Sequence, residues 1–157
     1  MTDCERAAVR RLLWRWGRFA EFCDARQREL DFYADKLESS RDLGGRVMDG
    51  QPHGSGISDP TARVALSMDR IIDSYAELVE KIGASIENEK RFKLTIDELI
   101  NALPREQRRI IELRYIDGHQ WAFIGMKMVM DERTAKRIDE KAIETILPFV
   151  EICPEMS

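Results

Sequence analysis

The sequence predicts an all-α protein: a long N-terminal helical hairpin, coiled-coil-like, followed by a bundle of short helices. Three observations predict it. Apolar residues recur at alternating spacings of four and three along two long stretches. The one Gly-rich segment lies between those stretches. After Pro104 the long pattern gives way to short helical segments separated by turn signals. The chain has 157 residues, enough for one domain or for a small module with an extended arm. Charged residues make up 34% and aromatics 8%, a balance that suits long amphipathic helices better than a large globular core.

Residues 3–42 contain no proline, and Gly17 is their only glycine. Val9, Leu13, Trp16, Ala20, Cys23, Leu30, Ala34 and Leu37 form a heptad stripe that only Gln27 interrupts, which predicts one helix with a narrow apolar seam. A narrow seam needs a partner helix. Residues 43–59 hold five glycines and Pro52 and are expected to form a loop. Asp59-Pro60 then reads as a helix start, with a carboxylate cap followed by a proline suited to the first turn. A second seam follows through Val64, Met68, Ile71, Tyr75, Leu78, Ile82, Phe92, Ile96, Leu99 and Leu103. Ser85 and Glu89 fall on it as a polar gap, where the first helix ends its cover or where the second kinks. At ~1.5 Å per residue this helix, about 60–102, would be roughly 60 Å long. Two seams joined by one loop predict an antiparallel hairpin, with a parallel dimer seam as the alternative.

Residues 103–147 are expected to form a separate module, and 148–157 a tail. Pro104 closes the long helix and opens the next. Helices are predicted at 105–116, stopped by Asp117-Gly118, at 120–128, and at about 132–147, stopped by Pro148. In the last helix Ala135, Ile138, Ala142 and Ile146 share one face. The opposite face carries Arg133, Lys136 and Arg137, with Thr134 and Lys141 at its edge; Glu140 and Glu144 follow towards the C-terminus. Bases at the N-terminal half suit a helix entering the major groove by that end. Asp131 stands at an N-cap position. Gly125 would let the two last helices approach, and helices joined by so short a turn form a helix-turn-helix. Arg108 and Arg109 add positive charge on the preceding helix, and Gln120 could donate to a phosphate. The alternative is a three-helix bundle that never touches DNA, since residues 131–147 hold five acids against four bases.

Leu103-Pro104, Gln107-Arg108, Leu113-Arg114-Tyr115, Asp117-Gly118, Trp121, Ile124, Thr134 and Ala142 together resemble region 4 of sigma-70 factors. Within that superfamily the chain is similar to phage regulators of the ArpU/RinA type, and Pro52–Ala62 resembles a recurrent segment of a related phage and prophage family. The resemblance implies a sequence-specific DNA-binding regulator of late or packaging genes. Its partners would be double-stranded DNA, a second copy through the long helices, and RNA polymerase. Two departures stand out: Val129 occupies a turn position where sigma region 4 usually has glycine, and no sigma region 2 is recognisable. The alternatives are a small-terminase-like packaging component and a region-4-like module that binds polymerase or another protein without DNA.

The remaining features point away from catalysis. Cys4, Cys23 and Cys153 are odd in number and not spaced as a metal clip, which fits reduced thiols in a cytosol, and the phage resemblance implies the cytoplasm of a bacterial host. No run approaches the ~20 apolar residues of a membrane span. His53 and His119 lie in no ligand-spaced cluster, and the Gly-rich segment lacks the lysine of a P-loop. No nucleophile or zinc motif is present, so neither an enzyme nor a cofactor is expected. Arg6, Arg10, Arg11, Arg15 and Arg18 form an acid-free cluster, read as a solvated face or as an added phosphate-contacting surface. Trp14, Trp16 and Trp121 are expected as core anchors.

Overall fold

The computed structural model describes residues 3–46 and 60–150. Its fold is all-α: α1 (Asp3–Gly17), α2 (Phe19–Arg46), α3 (Pro60–Ala102), α4 (Arg105–Ile111), α5 (Trp121–Met128) and α6 (Glu132–Val150). The chain leaves α4 without a break in a π-helical stretch, Glu112–Ile116, called here the π turn. No described helix is long and apolar enough to cross a membrane. Residues 43–46, expected as the start of the loop, continue α2, while the rest of the loop, 47–59 with His53 and Asp59, and the tail from 151 with Cys153 lie outside the described residues.

The single first helix expected over 3–42 is two helices that meet at Arg18. The Arg18 amide is shared between the carbonyls of Trp14 and Arg15, each at 3.2 Å, so the hydrogen-bonding pattern changes there without being lost. The cause is Gly17. A Cβ at that position would lie 1.8 Å from the carbonyl oxygen of Tyr115. Backbone therefore meets backbone where α1 docks on the π turn, and only glycine leaves room.

The chain divides into two compact units. One comprises Met1–Phe22 with Glu89–Ser157, the other Cys23–Asn88. The boundary expected at 102/103 is thus not where the compact units part, because the unit holding the short C-terminal helices also contains α1 and the last part of α3. The reason is apolar surface. Val9, Leu12, Leu13 and Trp16 of α1 are buried in one cluster with Ile96 and Ile100 of α3, Ile111 and Tyr115, and Ile143 and Ile146 of α6. A second cluster gathers Ile110, Leu113, Ile124 and Ala135, bordered by Trp121, Met128, Met130 and Ile138. The π turn serves both. Leu113 faces the second cluster and Tyr115 the first, on a stretch where the sequence predicted ordinary helix to residue 116.

Polar contacts fix α1 on α3. Glu89, 4% exposed, accepts from Arg15 Nε at 2.9 Å and Nη2 at 2.6 Å. The Arg15 guanidinium also lies 4.1 Å from the centre of the Phe92 ring. Trp16 Nε1 donates to Asp97 Oδ1 at 2.7 Å. The polar gap at Glu89 is therefore an ion pair with the first helix, and Arg15, its side chain still 45% exposed, is held in that pair. Its guanidinium is held further above its ordinary pKa by the bond to Glu89.

In the other unit Tyr33 of α2 meets Tyr75 of α3, with ring centres 6.1 Å apart. Met68, Tyr75 and Ile82 turn inward as expected, but Ile71 and Leu78 are exposed, and Ile72, Val79 and Ile86 take the inner places. α3 is apolar along three adjacent rows, and this unit contains one other helix to cover them. The last helix continues past Pro148 to Val150, because Leu147 and Val150 pack on the first cluster and hold the turn that the proline weakens.

Gly17→Ala is expected to lower the unfolding free energy by about 3 kcal/mol, since helix and π turn must separate. Gly83→Ala has nothing within 4 Å of the new Cβ and is expected to raise it by roughly 0.5–1 kcal/mol. Urea denaturation of the two variants beside the parent chain measures both.

Candidate nucleic-acid interface

The site is built from α5, the residues 129–131 and α6. Gln120 precedes α5 with extended backbone and an exposed side chain that makes no cap hydrogen bond. α5 ends at Met128, and Val129 takes up left-handed backbone, φ 56° and ψ 48°. The amide of Met130 then bonds the Gly125 carbonyl at 2.9 Å, closing the turn. A Cβ on Gly125 would lie 2.8 Å from the Met130 carbonyl oxygen, so this glycine is needed for the chain to double back. The valine is costly: β-branched residues rarely adopt positive φ, and Val129 is 92% exposed, so packing repays nothing.

Asp131 caps α6 as expected. Its carboxylate accepts from the Thr134 amide at 3.1 Å and the Thr134 hydroxyl at 2.5 Å, and these bonds hold its pKa below the ordinary carboxylate value. Thr134 is therefore engaged in the cap. Ala135, Asp139, Ala142, Ile143 and Ile146 form the buried face of α6, with Ile138 at its margin.

Arg133, Arg137 and Lys141, spaced four apart, stand exposed on the other side with no ion pair among the described residues. Lys136 pairs with Glu132. Arg108 does not join this row. Its guanidinium donates to the carbonyls of Asn101, at 2.7 Å, and Leu103, closing the end of α3. Arg109 pairs with Glu112 at 3.0 Å. Of the eight residues singled out by sequence, three form one free basic row, Lys136 and Thr134 flank it with partners on their own helix or its cap, Gln120 heads the preceding helix, and the two α4 arginines serve local contacts.

A cleft of about 170 Å³ opens beside α6, which the sequence did not reveal. Arg10 and Trp14 of α1, Arg114 and Tyr115 of the π turn, and Trp121 of α5 line it against Lys136, Asp139 and Glu140. Arg114 lies over both indoles, 5.3 Å from the Trp14 ring centre and 5.0 Å from that of Trp121, and donates to the His119 carbonyl at 2.8 Å. Trp16 is a buried anchor, whereas Trp14 and Trp121 are half-buried walls of this cleft. Asp139 is 1% exposed. Its Oδ2 accepts from the Tyr115 hydroxyl at 3.5 Å, and its Oδ1 has no partner among the described residues. Burial pushes its pKa up to about 6 against the opposing pull of Arg10. Burial and then the nearby Asp139 charge raise Tyr115 above the ordinary phenol value. Asp139 had a sequence signal: it falls at the fourth residue after Ala135 and the third before Ala142, inside the apolar row.

Residues 80–148 match the family described as "Protein of unknown function (DUF722)". The DUF722 match begins within α3 and ends within α6, so it takes in the turn, the basic row and the α6 side of the cleft, and leaves out α1. No curated protein and no solved structure matches the chain.

Val129→Gly is expected to stabilise the chain by about 1 kcal/mol, by relieving the left-handed strain at a position that buries nothing. A thermal melt rising by a few degrees would show it. Asp139 gives a pH effect of definite sign. Its proton is bound near pH 6 when folded and near ~3.9 when unfolded, so between these values the folded state holds more protons and this group's contribution falls as pH rises. Asp139→Asn removes that dependence. The stability of the parent relative to the variant is expected to drop by roughly 2 kcal/mol between about pH 4 and pH 7, read from urea melts at each pH.

Proposed function

We propose that the chain is a sequence-specific DNA-binding transcriptional regulator of phage or prophage origin, with α5 and α6 as its helix-turn-helix and α6 in the major groove. The observation that carries this reading is the free row Arg133, Arg137 and Lys141 on a helix whose opposite face is anchored in two apolar clusters. Such a row can meet base edges and phosphates without giving up a fold-stabilising contact. Glu140 and Glu144 limit the approach to the N-terminal part of α6. The turn of three residues and the close approach at Gly125 within α5 support the motif. The matched family is phage-associated, which supports the phage or prophage origin. Val64, Ile71 and Leu78, seven residues apart and all exposed on α3, support pairing of two copies through the long helices, and a dimer would present two such motifs to DNA.

One observation favours a second reading. Phe123, Met126 and Val129 expose an apolar surface on α5 and the turn, which suits a protein partner such as RNA polymerase better than phosphate.

Binding of a random-sequence duplex, measured by anisotropy across a salt series, separates the two. Arg133→Ala/Arg137→Ala/Lys141→Ala is expected to weaken binding at least tenfold at low salt and to flatten the log–log salt slope by about one per removed charge. Absence of duplex binding by the parent chain at low salt, or a triple variant that binds equally well, would overturn the DNA reading.

A further inference from the structure

We propose that the cleft between α1, the π turn, α5 and α6 binds a guanine nucleotide, with the base edge on Asp139 and the phosphate at Arg10 and Lys136. A buried carboxylate oxygen without a donor is costly, and Asp139 Oδ1 is such an atom on the wall of an open cleft. Tyr115 reaches only Oδ2, at the long distance of 3.5 Å, so that oxygen also retains acceptor capacity. The carboxylate thus calls for a group that brings hydrogen-bond donors.

The other walls narrow the choice. Arg10, Arg114 and Lys136 disfavour a bare cation, while Asp139 and Glu140 disfavour a bare anion. A ligand with donors at one end and negative charge at the other satisfies both sets. Trp14 and Trp121, with Arg114 over both rings, offer flat surfaces of the kind on which bases stack. The cleft, about 170 Å³ and open to solvent, takes a single planar base and leaves the ribose and phosphate at its rim. Among the nucleobases, guanine presents two neighbouring N–H donors on one edge, N1–H and the 2-amino group, matched to the two oxygens of a carboxylate. Adenine sets an acceptor beside its donor, which would face a carboxylate lone pair. In the free chain Lys136 is held by Glu132, and a bound phosphate would compete for it.

This assignment does not rest on the DNA reading and is tested without a promoter. Full-length protein is titrated with GMP, AMP and xanthosine monophosphate, followed by tryptophan fluorescence and calorimetry. GMP is expected to bind saturably below millimolar concentration and AMP at least about tenfold more weakly. Asp139→Asn replaces one acceptor by a donor, and is expected to lose GMP by about tenfold while gaining xanthosine monophosphate, whose N1–H and C2 carbonyl match an amide. Unchanged helical circular dichroism establishes that the variant is folded, and the GMP-to-AMP ratio of the parent chain stands independently of it. A duplex with one unpaired guanine, compared with one carrying an unpaired adenine, tells whether the base arrives free or in a strand. Equal binding of GMP and AMP, no saturable binding of either GMP or the guanine duplex at millimolar concentration, or a folded Asp139→Asn chain with unchanged GMP affinity would overturn the proposal and leave the cleft to solvent.

Discussion

The approach of two backbones at Gly17 is the constraint from which the first unit follows. Helices usually meet through side chains at interaxial distances of ~8–10 Å. Here the last turn of α1 presses on the carbonyl of Tyr115 with no room for a methyl group. That contact falls on the π turn, where Tyr115 faces α1 and Leu113 the second cluster. It also sets Trp14 edge-on to Tyr115, with centres 5.2 Å apart and planes at 71°, and so shapes the cleft against α6. The Tyr115 hydroxyl then reaches Asp139, and the position of α6 is tied through that buried pair to the position of α1.

Polar contacts add register to this packing. An apolar seam with heptad spacing tolerates sliding by a turn, because each row of side chains resembles the next. Glu89 does not: buried to 4% exposure, it would be an uncompensated charge in any register that takes Arg15 away. The Trp16–Asp97 bond lies two turns further along α3 and acts in the same sense. Lys93 bonds the other oxygen of Asp97, so that carboxylate is satisfied on both sides. The arginines between residues 10 and 18 thus divide by task. Arg15 fixes α1 on α3, Arg10 faces Asp139 across the cleft, and Arg11 and Arg18 remain exposed.

Much of the helical framework was legible because its signals are local. Pro60, Pro104, Asp117-Gly118 and the Asp131 cap each mark a boundary through backbone chemistry, and α3 runs from residue 60 to 102 as its pattern required. The apolar face of α6 was legible for the same reason. What escaped was decided between distant segments. Gly17 reads as a mild weakness in a helix until Tyr115 lies against it. Arg15 and Asp139 look like surface charges until burial and a partner, or the want of one, give them a role. The choice of Ile72, Val79 and Ile86 over Ile71 and Leu78 depends on how many helices surround α3, which one row of spacing does not encode. In the candidate site, the basic row was legible from periodicity alone, whereas the engagement of Arg108 with the end of α3 needed the fold.

Because the first unit is discontinuous, its N-terminal helix is made long before its binding surface exists. When Val9, Leu13 and Trp16 leave the ribosome, Ile96, Tyr115 and Ile143 are still untranslated. Synthesis at ~5–20 residues per second leaves α1 without its partners for several seconds. Its apolar stripe must meanwhile stay soluble, and five arginines among its first eighteen residues, with no acid beyond Glu5, suit it to that wait. The charge that later orders the fold first serves the nascent chain, and the unit closes only once its last helix has emerged.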